Sequence, residues 1–252
     1  MRRVKQVEQP EALSTGLAEM LRALRRPREL WSTIRDYVGM GRSRRRQPIV
    51  DRDGLKQFLE TRASHVAQTS LYGYVRTRAG MRYPELFHDD GFIGSINVAK
   101  WQMWLACLSD LAVFAGGLLT RDRPEVAARA GAIVHAAVSQ ILAETGTPSD
   151  AGPAFPDTAR AVLARIEACD WTTVSDDGEA FVESPPALVR WAPIVDELKQ
   201  VDEPIVLNSV RFRWQEIRRN LRDLLDPAAV LRDAEAATAE PGDSLARPST
   251  AG

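Results

Sequence analysis

The amino-acid sequence predicts an all-α fold, a single multi-helix array around a central apolar helix at about residues 92–119. Three observations carry this expectation. Nearly every apolar run repeats at the 3.6-residue helical period. No run of alternating strands and helices is present, which argues against a parallel α/β sheet. The stretch 92–119 is apolar most of the way round: Trp101, Met103, Trp104, Leu105, Leu108, Leu111, Val113, Phe114 and Leu118 leave no clean polar face. Such a helix is either the centre of a bundle or a membrane span. Lys100 and Asp110 favour the bundle, because a charge near mid-span costs about 2.5–3.5 kcal/mol on insertion scales. Gln102, Ser109 and the pair Gly116-Gly117 dilute the stretch further.

The remaining elements follow from apolar spacing and punctuation. Leu13, Leu17, Met20, Leu21 and Leu24 recur at helical spacing until Pro27, and Leu30, Trp31, Ile34, Tyr37 and Val38 mark a second short helix. Gly39, Gly41 and the run Arg42-Ser43-Arg44-Arg45-Arg46 read as a basic linker. Asp51 or Asp53 is placed to cap a helix running to about Arg78. Pro84 and Gly91 punctuate a turn region, and Asp89 or Asp90 is placed to cap the central helix. Pro124 enters an Ala-rich amphipathic helix through residue 142, and a shorter helix spans 157–168. Residues 172–174 and 180–182 could be two short strands, although such a pair alone would be marginal. A helix opens at Pro185-Pro186, with a break at Pro193, and the last strong helix spans 206–225. Residues 235–252 hold almost no apolar mass and are expected to be a disordered tail. The domain reading is therefore a basic helical arm at 1–46, a helical core at 47–234, and the tail.

Composition bounds the function. The chain has 252 residues and a net charge of −1, distributed unevenly. Residues 1–46 hold 12 Lys/Arg against 5 Asp/Glu, a surplus of +7, so the rest of the chain carries −8. A basic head on an acidic body points to an anionic partner for the head. The two cysteines, Cys107 and Cys169, make neither a disulfide framework nor a zinc pattern. The N-terminus lacks the apolar core of a secretory signal, so a cytoplasmic location is expected, with possible placement against the inner membrane.

Four constellations bear on chemistry. Arg62, His65, Thr69, Tyr72 and Arg76 share one side of a helix at alternating spacings of three and four residues. Arg supplies planar donors to carboxylate or phosphate. This stripe is either an anion-binding face or a polar seam bonded to neighbouring helices. Ser70 or Ser95 with His65 or His88 would make a non-standard hydrolase site, since no Gly-x-Ser-x-Gly elbow is present. His88, Asp89 and Asp90 have metal-binding chemistry but lack a metalloenzyme spacing, so no metal and no cofactor are expected. The basic surface Arg42, Arg44, Arg45 and Arg46, or the Arg face of the last helix, would serve nucleic-acid binding, without a recognition motif to support it.

The runs Phe58-Leu-Glu-Thr-Arg-Ala-Ser-His-Val-Ala-Gln-Thr-Ser-Leu-Tyr-Gly-Tyr74 and Arg82-Tyr-Pro-Glu-Leu-Phe-His-Asp-Asp90 resemble a group of uncharacterised alphaproteobacterial proteins. The resemblance covers about residues 51–120. Some members of that group carry an esterase label, so it implies a bacterial, cytoplasmic protein and an ester hydrolase as the alternative function. The leading expectation is a non-enzymatic helical accessory protein that binds a partner protein or the anionic inner-membrane surface through basic helical faces. Nucleic-acid binding through the arm is the second alternative.

Overall fold

The computed structural model describes residues 47–121 and 123–239. Seven α-helices and no β-strand occur among the described residues: α1 Arg52–Ala79, α2 Asp90–Thr120, α3 Ala127–Thr145, α4 Phe155–Glu167, α5 Ser184–Trp191, α6 Asp196–Leu224 and α7 Pro227–Ala239. A 3-10 segment, Gly80–His88, joins α1 to α2. The basic arm and its Arg42, Arg44, Arg45 and Arg46 lie outside the described residues.

The capping chemistry settles two of the open choices. Asp51 caps α1 by accepting from the Gly54 amide at 2.7 Å. Asp89 caps α2 by accepting from the Phe92 amide at 3.0 Å.

α2 is the centre of the array and packs on α1, α3, α4, α5 and α7. Met103, Leu105, Cys107, Leu108, Leu111 and Phe114 are fully buried. By length and composition alone α2 and the stretch Pro124–Thr145 could each cross a membrane, but the apolar window of α2 is entirely covered by protein. The charges inside α2 each find a separate partner. Lys100 lies over the Trp101 ring and pairs with Asp150 at 3.2 Å, and the Trp101 Nε1–H donates to the same carboxylate at 2.7 Å. Asp110 is discussed below with Arg165. An aromatic run crosses the core from Phe114 on α2 through Phe181 to Trp214 on α6, with ring centroids 5.3 and 4.6 Å apart.

Three expectations are revised. Residues 172–174 and 180–182 are not strands. Their polar neighbours close local turns instead: the Thr172 amide and hydroxyl donate to Asp170, and the Ser175 hydroxyl and Glu179 amide donate to Asp177. The turn segment is held by Trp171, which enters a notch between Gly116 on α2 and Gly131 on α3; a Cβ at either glycine would collide with the indole. Val174 fills the space over Gly117 in the same way.

The second revision is the start of the last long helix, which begins at Asp196 and continues through Pro204. Proline deletes one backbone hydrogen bond. Pro204 is exposed, so water can satisfy the carbonyl that this frees. Asp196 and Glu197 suit the positive end of the helix dipole. The break expected at Pro193 does separate α5 from α6.

The third revision is the C-terminal boundary: α7 runs past residue 234 to Ala239, and Glu235 pairs with Arg129 on α3. The start of the fold is stitched to this end. The Ile49 amide donates to the Leu224 carbonyl at 2.7 Å, and the Asp226 amide donates to the Ile49 carbonyl at 2.9 Å. Arg52 pairs with Asp233 at 2.9 Å.

Candidate functional site

The α1 stripe does not act as one unit. α1 packs against α6, and the polar residues along that contact divide between the two ends. At the first end, Arg62 lies over the Phe58 ring, 5.5 Å from its centroid, and its Nε is buried without a hydrogen-bond partner among the described residues. His65 is half-buried. Burial lowers its pKa, and the cationic Arg62 and Arg213 lower it further, opposed by Glu216. Thr69 turns inward, its hydroxyl donating to the His65 carbonyl at 2.7 Å. At the other end, Tyr72 has its phenol pKa raised by burial, with Tyr83 and Asp150 adding to the effect, and Arg76 is exposed and acts on Tyr83.

Towards the C-terminal end of α1 runs a polar seam made of other residues of that helix. Tyr74 donates to the buried Asp202 of α6 at 2.9 Å, and Arg78 pairs with the same carboxylate. Arg213 reaches α1 at Gly73, where a Cβ would lie 3.4 Å from its Nη2. Asp202, Tyr74 and Arg78 were not legible as a set, because their meeting depends on the pairing of two helices far apart in sequence.

The four serine and histidine candidates take separate roles. Ser70 is buried, and its hydroxyl has no hydrogen-bond partner among the described residues. The Ser95 hydroxyl is exposed and donates to the Gly91 carbonyl of its own helix at 2.9 Å. His88 is exposed in the 3-10 segment. No hydrogen bond joins either serine to His65 or His88 among the described residues. Asp89 serves as the α2 cap, and His135 meets Glu167 at 3.0 Å. Among the described residues no three His, Cys, Asp or Glu side chains gather as a metal site.

A buried polar centre occupies the core instead. Asp110, with no exposed surface, accepts from Arg165 Nη1 at 2.8 Å, from the Glu183 amide at 3.0 Å and from the Ser184 amide at 2.7 Å. Arg165 also donates to Ser109 and to the Ala180 carbonyl, and the Trp214 Nε1–H donates to Ser184 at 2.9 Å. Burial pushes the Asp110 carboxyl upward, while the Ser184 and Arg165 donors pull it back. The Cys107 thiol is pushed well up by its complete burial, which makes it a poor nucleophile. The donors named here go to protein groups, so the arrangement joins α2, α4, α5 and α6.

A groove of about 510 Å³ runs beside Arg52, Arg129, Ile133 and Ala234. The two arginines at its edge are already paired, with Asp233 and Glu235.

The outer surface of α6 is different in kind. Arg211, Arg213, Arg219 and Arg222 are exposed on its second half. Arg218 is half-buried over Phe181, and burial and the adjacent Arg222 hold its pKa down. Arg222 is tied to the Asp176 carbonyl at 2.7 Å. The same helix exposes Leu198, Val201, Ile205 and Phe212. Sequence spacing missed this apolar set because Pro204 reads as a helix boundary and splits it.

No family model, no curated protein and no solved structure matches the chain.

Proposed function

We propose that the protein is a non-enzymatic helical interaction protein that docks on an acidic surface of a partner protein through the basic outer face of α6. The observation that supports this reading is the set of exposed arginines on the second half of that helix, with Arg211 and Arg219 directed away from a filled core. Arg offers planar, always-charged donors that suit carboxylates, and such contacts speed encounter and fix register. The basic arm at 1–46 would add a second contact of the same sign. The test is crosslinked affinity capture from the native cell with the full chain and with an Arg219→Glu variant of matching circular dichroism. A defined acidic protein should be captured by the first, lost with the second, and lost at high salt, where exposed charges are screened. Equal capture by both chains would refute the proposal. Salt-sensitive binding of both-leaflet phosphatidylglycerol vesicles, lost in the variant, would replace the protein partner with a membrane surface.

A further inference from the structure

α6 carries two apolar faces. One, made of Val206, Val210, Trp214, Ile217 and Leu221, is buried in the core. The other faces outward: Leu198 is 41% exposed, Val201 74%, Ile205 73% and Phe212 71%. Their spacings of three, four and seven residues set all four on one stripe, about 21 Å long at 1.5 Å per residue. Asn208 falls on the same stripe. Single exposed apolar residues are ordinary, but a continuous stripe of them marks a contact surface.

The charges beside the stripe select its occupant. Glu197 immediately precedes Leu198, and Arg211 immediately precedes Phe212, so acid and base sit on the same flank at opposite ends. Ile205 is the midpoint. Turning a second copy about Ile205 so that the helices run antiparallel brings Leu198 of one against Phe212 of the other. It also brings Glu197 of each copy to the same flank as the other's Arg211, two residues or about 3 Å out of level along the axis and within reach of that long side chain, and two-fold symmetry makes this contact twice. A parallel two-fold arrangement would put the two Glu197 side chains, and likewise the two Arg211 side chains, on opposite flanks of the seam, so that Glu197 would meet no Arg211. Flanking charges choose orientation in paired helices in this way. Asn208 accepts from its own Arg211 at 3.4 Å, a long contact that the second copy's Glu197 can outcompete.

We infer that the protein forms a symmetric dimer in which the outer stripe of α6, Leu198 to Phe212, pairs antiparallel with the same stripe of a second copy. The stripe closes on itself, so association stops at two. It uses neither Arg213 nor Arg219, and its failure would leave the docking proposal standing.

The test is sedimentation equilibrium of the full chain over a range of micromolar concentrations, with four variants. Ile205→Glu should weaken the dimer by about a hundredfold or more, because it places two carboxylates together at the centre. Glu197→Arg and Arg211→Glu should each weaken it by about tenfold, and the double variant E197R/R211E should return it to the wild-type value. All three positions are exposed, so each variant keeps the core. If Ile205→Glu loses helicity, Val201→Lys makes the same test one turn away. A wild-type chain that stays monomeric, a dimer untouched by either central substitution, or a double variant as weak as the singles would overturn the inference. So would a monomer that binds phosphatidylglycerol vesicles through Ile205, which would assign the stripe to a lipid surface.

Discussion

His65 sits half-buried beside two guanidinium groups, and burial and both cations disfavour its charged form. Its folded pKa therefore lies below the unfolded value near 6.5. Above that value His65 is neutral in both states and the full stability is present. As pH falls through 6.5 the unfolded chain takes up the proton first, so stability is lost down to the folded pKa. Urea titrations at pH 7.5 and pH 5.5 should show wild type losing more than a His65→Gln variant. Equal losses would mean that the ring is solvated as in a free peptide. The position of His65 on the stripe was legible from spacing alone. The neighbours that set its charge, Arg213 and Glu216, were not, because they lie on another helix.

The element scale is where Asp110 matters. α5 has eight residues and no capping side chain of its own; Glu183 at its start makes no such bond. Asp110 supplies the cap from α2, accepting from the Glu183 and Ser184 amides while it balances Arg165. Asp110→Ala would strand the Arg165 cation and leave two helix-end donors without an acceptor. The expected loss is about 3–5 kcal/mol in chemical denaturation, the range for breaking one side of a buried pair. Asp110→Asn keeps an acceptor and should lose less. A variant as stable as wild type would place Asp110 outside the structural core. Lys100 and Asp110 lie ten residues apart on one helix, about 15 Å along its axis, so each needs a partner from another element, and spacing alone does not say which. Sequence reading treated Gly116-Gly117 only as dilution of an apolar run. Glycine inside a helix costs about 1 kcal/mol relative to alanine. Here that cost opens the notch for Trp171 and Val174, and the partner in that notch comes from a loop that carries no periodic signal.

For the whole molecule, the described fold closes where its two ends meet. Ile49 is bridged to Leu225, Arg52 holds Asp233, and Val230 and Leu231 of α7 bury themselves against the body. Leu231 is 2% exposed, so Leu231→Ala should cost about 2–5 kcal/mol, read as a lower urea midpoint with an unchanged slope. No loss would mean that α7 rests on the surface and the closure is carried by the bridge alone. The all-α architecture and the central place of α2 were legible because burial on all sides leaves a long run without a polar face. The closure was not, since a short Ala-rich helix next to a polar tail has too little apolar mass to stand out.

The cap on α5 also orders events in time. An eight-residue helix has no standing population in an unfolded chain, where nucleation outweighs the gain from so few bonds. Its amides find their acceptor 73 residues away, across a loop that must first close. The acceptor for these amides is therefore present only once Asp110 on α2 has been brought to the start of α5. Asp110 would then act as a latch thrown late, and Asp110→Ala is expected to raise the unfolding rate more than it lowers the refolding rate, read from the two arms of a urea chevron.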